Sequence, residues 1–209
     1  VDMDMVSEFY LTTLKKSLSE GKVSQKEIDM ACMRILTSKE RLGLLDDPYK
    51  YFDEKRAATE MMSPEHRAFA RKTAAASFVL LKNENNILPL NKNTRIALIG
   101  PLADSRRNML GTWSVSGDHD KAVTVIEGIK SLAADPKNIM YAKGANISDD
   151  REFARRVNVF GEEIVIDTRT PDEMIREALD VAYNADVIVA VVGEAADMSG
   201  ESSCLTDIS

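Results

Sequence analysis

Hydrophobic residues recur along the chain with two different periods, and the places where the period changes outline its elements. Val1–Met5 alternates, with Asp2 and Asp4 on one face and apolar residues on the other, which predicts a strand. The spacing then lengthens. Tyr10, Leu11, Leu14 and Leu18 follow the helical repeat until Gly21. Ser24 followed by Glu27 is a capping box, and Ile28, Ala31, Cys32, Ile35 and Leu36 form the apolar stripe of the helix it opens, which Gly43 ends. No period survives beyond it and Pro48 blocks a helix, so residues 46–62 read as a linker.

A second unit opens at Ser63-Pro64, an N-cap followed by proline at the first helical position, with a helix to about Ala76. Phe78–Leu81 predicts a strand and Arg95–Gly100 a second, buried one. A long aperiodic loop follows, through Gly111–Ser114, and loops of that length in a compact domain are usually functional or disordered. Thr124 and Glu127 form another capping box, ahead of the stripe Ile126, Ile129, Leu132 and Ala133, and Asn138–Ala142 predicts a third strand. Residues 146–169 read as a charged insertion, with a hairpin around Gly161. Thr170-Pro171-Asp172-Glu173 combines N-cap, proline and capping-box glutamate, and Met174, Ala178, Val181 and Ala182 carry a helix to Asn184. Asp186–Val192 is then a continuous β-branched run closing on Gly193, predicted to be buried on both faces. Such alternation requires crossover connections. It predicts an α/β fold: a parallel or mostly parallel sheet with helices on both faces.

Composition narrows the function classes. With 44% hydrophobic and 29% charged residues the chain can bury a core, and its net charge of −7, with no long run of Lys and Arg, excludes a phosphate-tracking nucleic-acid surface. No stretch predicts a membrane span. Two cysteines, Cys32 and Cys204, and two histidines, His66 and His119, lie far apart, so neither a disulfide framework nor a metal site is expected. Both ends read as cut, as in an internal piece of a larger protein.

The candidate chemistry gathers on the loop after the last strand, which carries Glu194, Asp197, Glu201 and Asp207. A parallel strand delivers such a loop to the carboxyl edge of its sheet, where α/β folds bind ligands. Glu201 stands out there because Gly200 precedes it and small hydroxyl residues follow, so its carboxyl can approach a ligand closely. Trp113, the single tryptophan, is either a core anchor or a ligand contact. A nucleotide-binding module fits the element order, but no strand end offers G-x-G-x-x-G or G-x-x-x-x-G-K-[ST].

Several stretches, in order, resemble glycoside hydrolase family 3, especially bacterial periplasmic β-glucosidases. They are R-I-L-x-x-K-x-x-L-G-L-x-D-D-P-Y from Arg34, A-A-x-S-x-V-L-L-K-N-x-x-x-x-L-P-L ending at Leu90, I-A-L-I-G-P-x-A-D from Ile96, G-x-W-S from Gly111 and V-x-V-V-G-E-x-x-x-x-S-G-E ending at Glu201. The resemblance implies a (β/α)8 barrel, a linker and an α/β sandwich, with the active site between the two domains. Residues 1–45 would then be the last strand and helices of the barrel, 46–62 the linker and 63–209 the first part of the sandwich. The implied activity is retaining, exo-acting hydrolysis of terminal β-linked glucose from glucosides or short oligosaccharides, in the periplasm, without a cofactor. Its implied partners are a small carbohydrate and the rest of the parent chain, with a homodimer left open. The family's nucleophile is an aspartate in an S-D motif that no residue here matches, Asp2 and Asp4 included, so the chain alone should be inactive. The general acid/base matches Glu201, with Glu194 as the rival, and Trp113 matches an aromatic that some relatives present to the sugar or aglycone. A noncatalytic sugar-binding or interface domain is the alternative.

Overall fold

The structure is a computed structural model that describes residues 1–114, 116–156 and 164–198. The chain divides into two compact units, Val1–Leu81 and Lys82–Ser209.

The first unit holds helices α1 (Phe9–Ser19), α2 (Gln25–Arg41), α3 (Glu54–Glu60) and α4 (Pro64–Ser77). The capping box at Ser24 is present, with Ser24 N–H donating to Glu27 Oε2 at 2.8 Å, and the Ser63 hydroxyl caps α4 by accepting from His66 N. The sequence missed α3. Asp53 starts it by accepting from Lys55 N at 2.9 Å, but all its residues are exposed, so no apolar period marks it. None of the four helices buries a residue, and Phe9, Leu11, Met33 and Phe69 are all exposed.

Two expected strands are absent. At Val1–Met5 the acids are used locally instead: Asp2 pairs with Arg34 of α2 at 2.5 Å, and Asp4 accepts from Phe9 N at 2.9 Å at the start of α1. At Phe78–Leu81 the chain forms no ladder with another described segment, and Leu81 is 92% exposed. A strand exists only through its partner.

The second unit is a three-stranded parallel sheet of order β2-β1-β3, formed by β1 (Ile96–Ile99), β2 (Ile139–Ala142) and β3 (Val187–Ala190). Ile96 aligns with Ile139 on one side and with Val187 on the other. Helix α5 (Val125–Leu132) crosses from β1 to β2, and α7 (Pro171–Tyr183) crosses back from β2 to β3. Right-handed crossovers running in opposite directions put these helices on opposite faces. Ile126 of α5 accordingly packs with Ile96, Leu98 and Ile139 in the core, while α7 packs against β2 and β1 and buries Met174. Both helices begin with the expected capping boxes, at Thr124 and Thr170, each worth about 1 kcal/mol.

β3 corrects one expectation. Among the described residues it is an edge strand and is not buried on both faces: its exposure alternates, and Ile188 is 58% exposed. Of the three described strands, only the central β1 is covered throughout most of its length. Within the charged stretch 146–169 a short helix α6 (Arg151–Arg156) forms, and Asn146 clasps Asp167 by accepting from its N–H at 2.9 Å. The hairpin around Gly161 falls largely outside the described residues.

Candidate active site

In the order β2-β1-β3 the connection from β1 leaves toward β2, while β3 arrives on β1's other side. The carboxyl ends of β1 and β3 therefore form a topological switch point, where open α/β sheets hold their ligands.

Backbone geometry brings these two strand ends very close. Val191 N–H donates to Ile99 O at 2.7 Å, while on the other side of β1 Gly100 N–H donates to Ala142 O of β2 at 3.2 Å. Gly100 has φ 135°, and a Cβ there would lie 2.1 Å from Val191 O. Only glycine fits at this point.

Beyond it, the loop after β1 turns through a short 3-10 segment, Arg107–Met109, and the loop after β3 through another, Ala196–Met198. Three polar ties join them. Arg107 pairs with Asp197 at 2.8 Å, and the two side chains are only 29% and 16% exposed. Asn108 Oδ1 accepts from Ala196 N at 2.7 Å, and the Thr112 hydroxyl donates to Ala196 O at 2.6 Å. The Asn108 amide is oriented by its other end, which donates to Ser105 Oγ at 2.7 Å. Ala195 is 2% exposed beneath this junction. One residue upstream, Arg106 reaches the Ala122 carbonyl and the Glu127 carboxylate, so the long loop is moored to the capped start of α5.

At the opposite, amino end of the strands, Arg95 and Asp186 pair at 2.6 Å, and Asp186 also accepts from Arg95 N at 3.0 Å. The hydrogen bonds from the Arg95 side chain and backbone hold the Asp186 carboxyl below its usual range.

Trp113 follows Thr112 directly and is 69% exposed. Glu194 is exposed on the segment that Ala196 and Asp197 anchor. Glu201 lies outside the described residues. Arg107, Asn108 and Thr112 had no signal in the sequence beyond their position after a buried strand, because their partners lie 84 to 90 residues away. Among the described residues no group of three or more His, Cys, Asp and Glu could hold a metal ion, and no helix is long and apolar enough to cross a membrane.

Comparison with known proteins adds to this geometry. Residues 78–209 match the family model for the glycosyl hydrolase family 3 C-terminal domain. The chain belongs to glycosyl hydrolase family 3. Among family members, the periplasmic beta-glucosidase of Salmonella typhimurium is 43% identical over 100% of this chain, which spans 28% of that relative. The beta-xylosidase of Formosa agariphila is 33% identical, again over 100% of this chain and 28% of the relative. In structure, the beta-glucosidase of Listeria innocua superposes with a TM-score of 0.77 at 29% identity, covering 98% of this chain and 25% of that one. The family 3 chain described here thus spans about a quarter of the length of these relatives, with a parallel sheet flanked by helices as in the solved structure.

Proposed function

We propose that this chain is part of a retaining, exo-acting β-glucosidase that removes terminal β-linked glucose from glucosides or short oligosaccharides in the periplasm. The observation that carries the reading is the 43% identity, over the whole chain, to a protein named as a periplasmic beta-glucosidase. A Listeria innocua relative crystallised with laminaribiose supports a short β-linked oligosaccharide as substrate. Residues 1–45 belong in this reading to the end of a barrel domain, 46–62 to a linker and 63–209 to the sandwich.

The chemistry needs two carboxyl groups about 5–5.5 Å apart, one ionised to attack the anomeric carbon and one protonated to give its proton to the leaving oxygen. We assign the second role to Glu201, ahead of Glu194, and assign Trp113 to stacking against the sugar or aglycone. The acid must enter protonated, and proximity to an anionic nucleophile together with exclusion of water raises a carboxyl pKa in that direction. The nucleophile belongs to another part of the parent. The purified 209-residue chain should therefore release no phenol from an aryl β-glucoside.

The test is the Glu201→Gln variant of the intact parent, assayed on two aryl β-glucosides, one with an acidic phenol that leaves unaided and one with a weakly acidic phenol. As the acid/base, Glu201 is required for the second: its kcat/KM should fall about 100-fold or more while that of the first is largely kept. The covalent intermediate should then be trapped by added azide as glucosyl azide, since azide needs no general base. A loss of that kind in Glu194→Gln instead would transfer the role. Weakened binding of both substrates with no leaving-group dependence would favour a sugar-binding surface. A second reading rests on the 33% identical beta-xylosidase, and the ratio of activities on aryl glucoside and aryl xyloside separates the two sugars.

A further inference from the structure

The last ladder bond that holds β3 to β1 is made by Val191, roughly ten residues before Glu201, and Gly193 follows it with φ 152°. An unrestrained tether of that length reaches up to ~35 Å at ~3.5 Å per residue. A general acid must lie within about 3 Å of the oxygen it protonates, and a misplacement of about 1 Å can cost about 100-fold. The loop after β3 therefore needs an anchor beyond the sheet.

We propose that Arg107, Asn108 and Thr112 are positioning residues that hold the Glu194–Met198 segment and thereby aim the general acid of this loop. The inference rests on the reading that the acid is Glu201, or its rival Glu194 on the same segment. With Ala196 and Asp197 fixed, the tether to Glu201 shortens to roughly four residues, ~14 Å at most. The three ties differ in kind. Asn108 and Thr112 grip the peptide groups on either side of the Ala196 Cα, and Arg107 grips the side chain of the next residue. The gripping loop is itself moored by Arg106 to Glu127 and Ala122, so the clamp is braced against the start of α5. A merely local turn needs none of this, since Ala196–Met198 already closes its own bond from Met198 N to Ala195 O at 2.9 Å.

In the intact parent, Arg107→Ala and Thr112→Val should each lower kcat/KM for the weakly acidic phenol by about 10- to 100-fold and change it by less than about threefold for the acidic phenol. Arg107→Lys, which keeps the charge on Asp197, should recover part of the loss. Activity on the acidic phenol reports the folded fraction of each variant, and if Arg107→Ala does not fold, Thr112→Val carries the test. An equal loss on both substrates, or no loss on either, would overturn the proposal. Failure of the acid assignment is read separately: if neither Glu201→Gln nor Glu194→Gln is leaving-group dependent, that reading falls and the clamp's role in aiming the acid falls with it. Leaving-group dependence at Glu201 or Glu194 with none at Arg107 and Thr112 leaves the acid standing and removes the clamp.

Discussion

Replacing Gly100 by alanine tests the close approach of the ends of β1 and β3. The new methyl carbon would start 2.1 Å from Val191 O and 2.9 Å from Val191 C, both main-chain atoms that no side-chain rotation can move. The backbone is also at φ 135°, a region essentially closed to residues with a Cβ, at a cost of roughly 1–3 kcal/mol. To make room, the ends of β1 and β3 must part, which removes the 2.7 Å bond from Val191 N to Ile99 O, worth about 1 kcal/mol. The sum is about 2–4 kcal/mol. Gly128 supplies the control from the same unit: it lies inside α5 with nothing within 4 Å of an added Cβ, so Gly128→Ala should stabilise by about 0.5–1 kcal/mol. Urea unfolding of the 209-residue chain, followed by circular dichroism, gives both values. A Gly100→Ala midpoint equivalent to less than about 0.5 kcal/mol of destabilisation would refute the reasoning.

Other predictions concern the braces around this point. Thr124→Ala removes the acceptor for Glu127 N at a residue only 3% exposed, and should cost about 1 kcal/mol or slightly more in urea unfolding. Asp186 is held below its usual pKa by Arg95, so its contribution is fully present above the unfolded pKa and is lost as pH falls through the folded one. Asp186→Asn should accordingly flatten the acid limb of stability as pH falls through and below the ordinary aspartate value of about 3.9, and leave the neutral-to-basic limb unchanged in slope. An unaltered acid limb would show that the pair contributes nothing. Glu127→Gln should preserve the acceptor of the capping box yet weaken the mooring of Arg106, and its effect should shrink at high salt, where the wild-type pair is screened.

Much of the sheet was legible because its signals are local. Ser24, Thr124 and Thr170 each announce a helix with their own glutamate three residues on, and each box forms. The strands at Ile96, Ile139 and Val187 announce themselves as apolar runs. What failed depended on partners. Val1–Met5 and Phe78–Leu81 have the composition of strands, but a ladder takes two segments, and the described residues supply no second one. The run Val187–Ala190 reads as doubly buried because its residues suit a central strand, whereas among the described residues its place in the order β2-β1-β3 makes it an edge. Helix α3 escaped because all of its residues are exposed and amphipathic spacing has nothing to mark. At the candidate site, the acids of the last loop and Trp113 could be found by chemistry and position. Arg107, Asn108 and Thr112 could not, because their pairing with Ala196 and Asp197 exists only once β1 and β3 are neighbours.

The grip on Ala196 has a consequence for how this loop can diversify. Asn108 and Thr112 hold its peptide groups, which every residue possesses, so the side chain at that position carries no part of the attachment. Evolution can therefore exchange that side chain, and an engineer can randomise it, without untying the loop from the sheet. Variation and attachment are assigned to different atoms of the same residue.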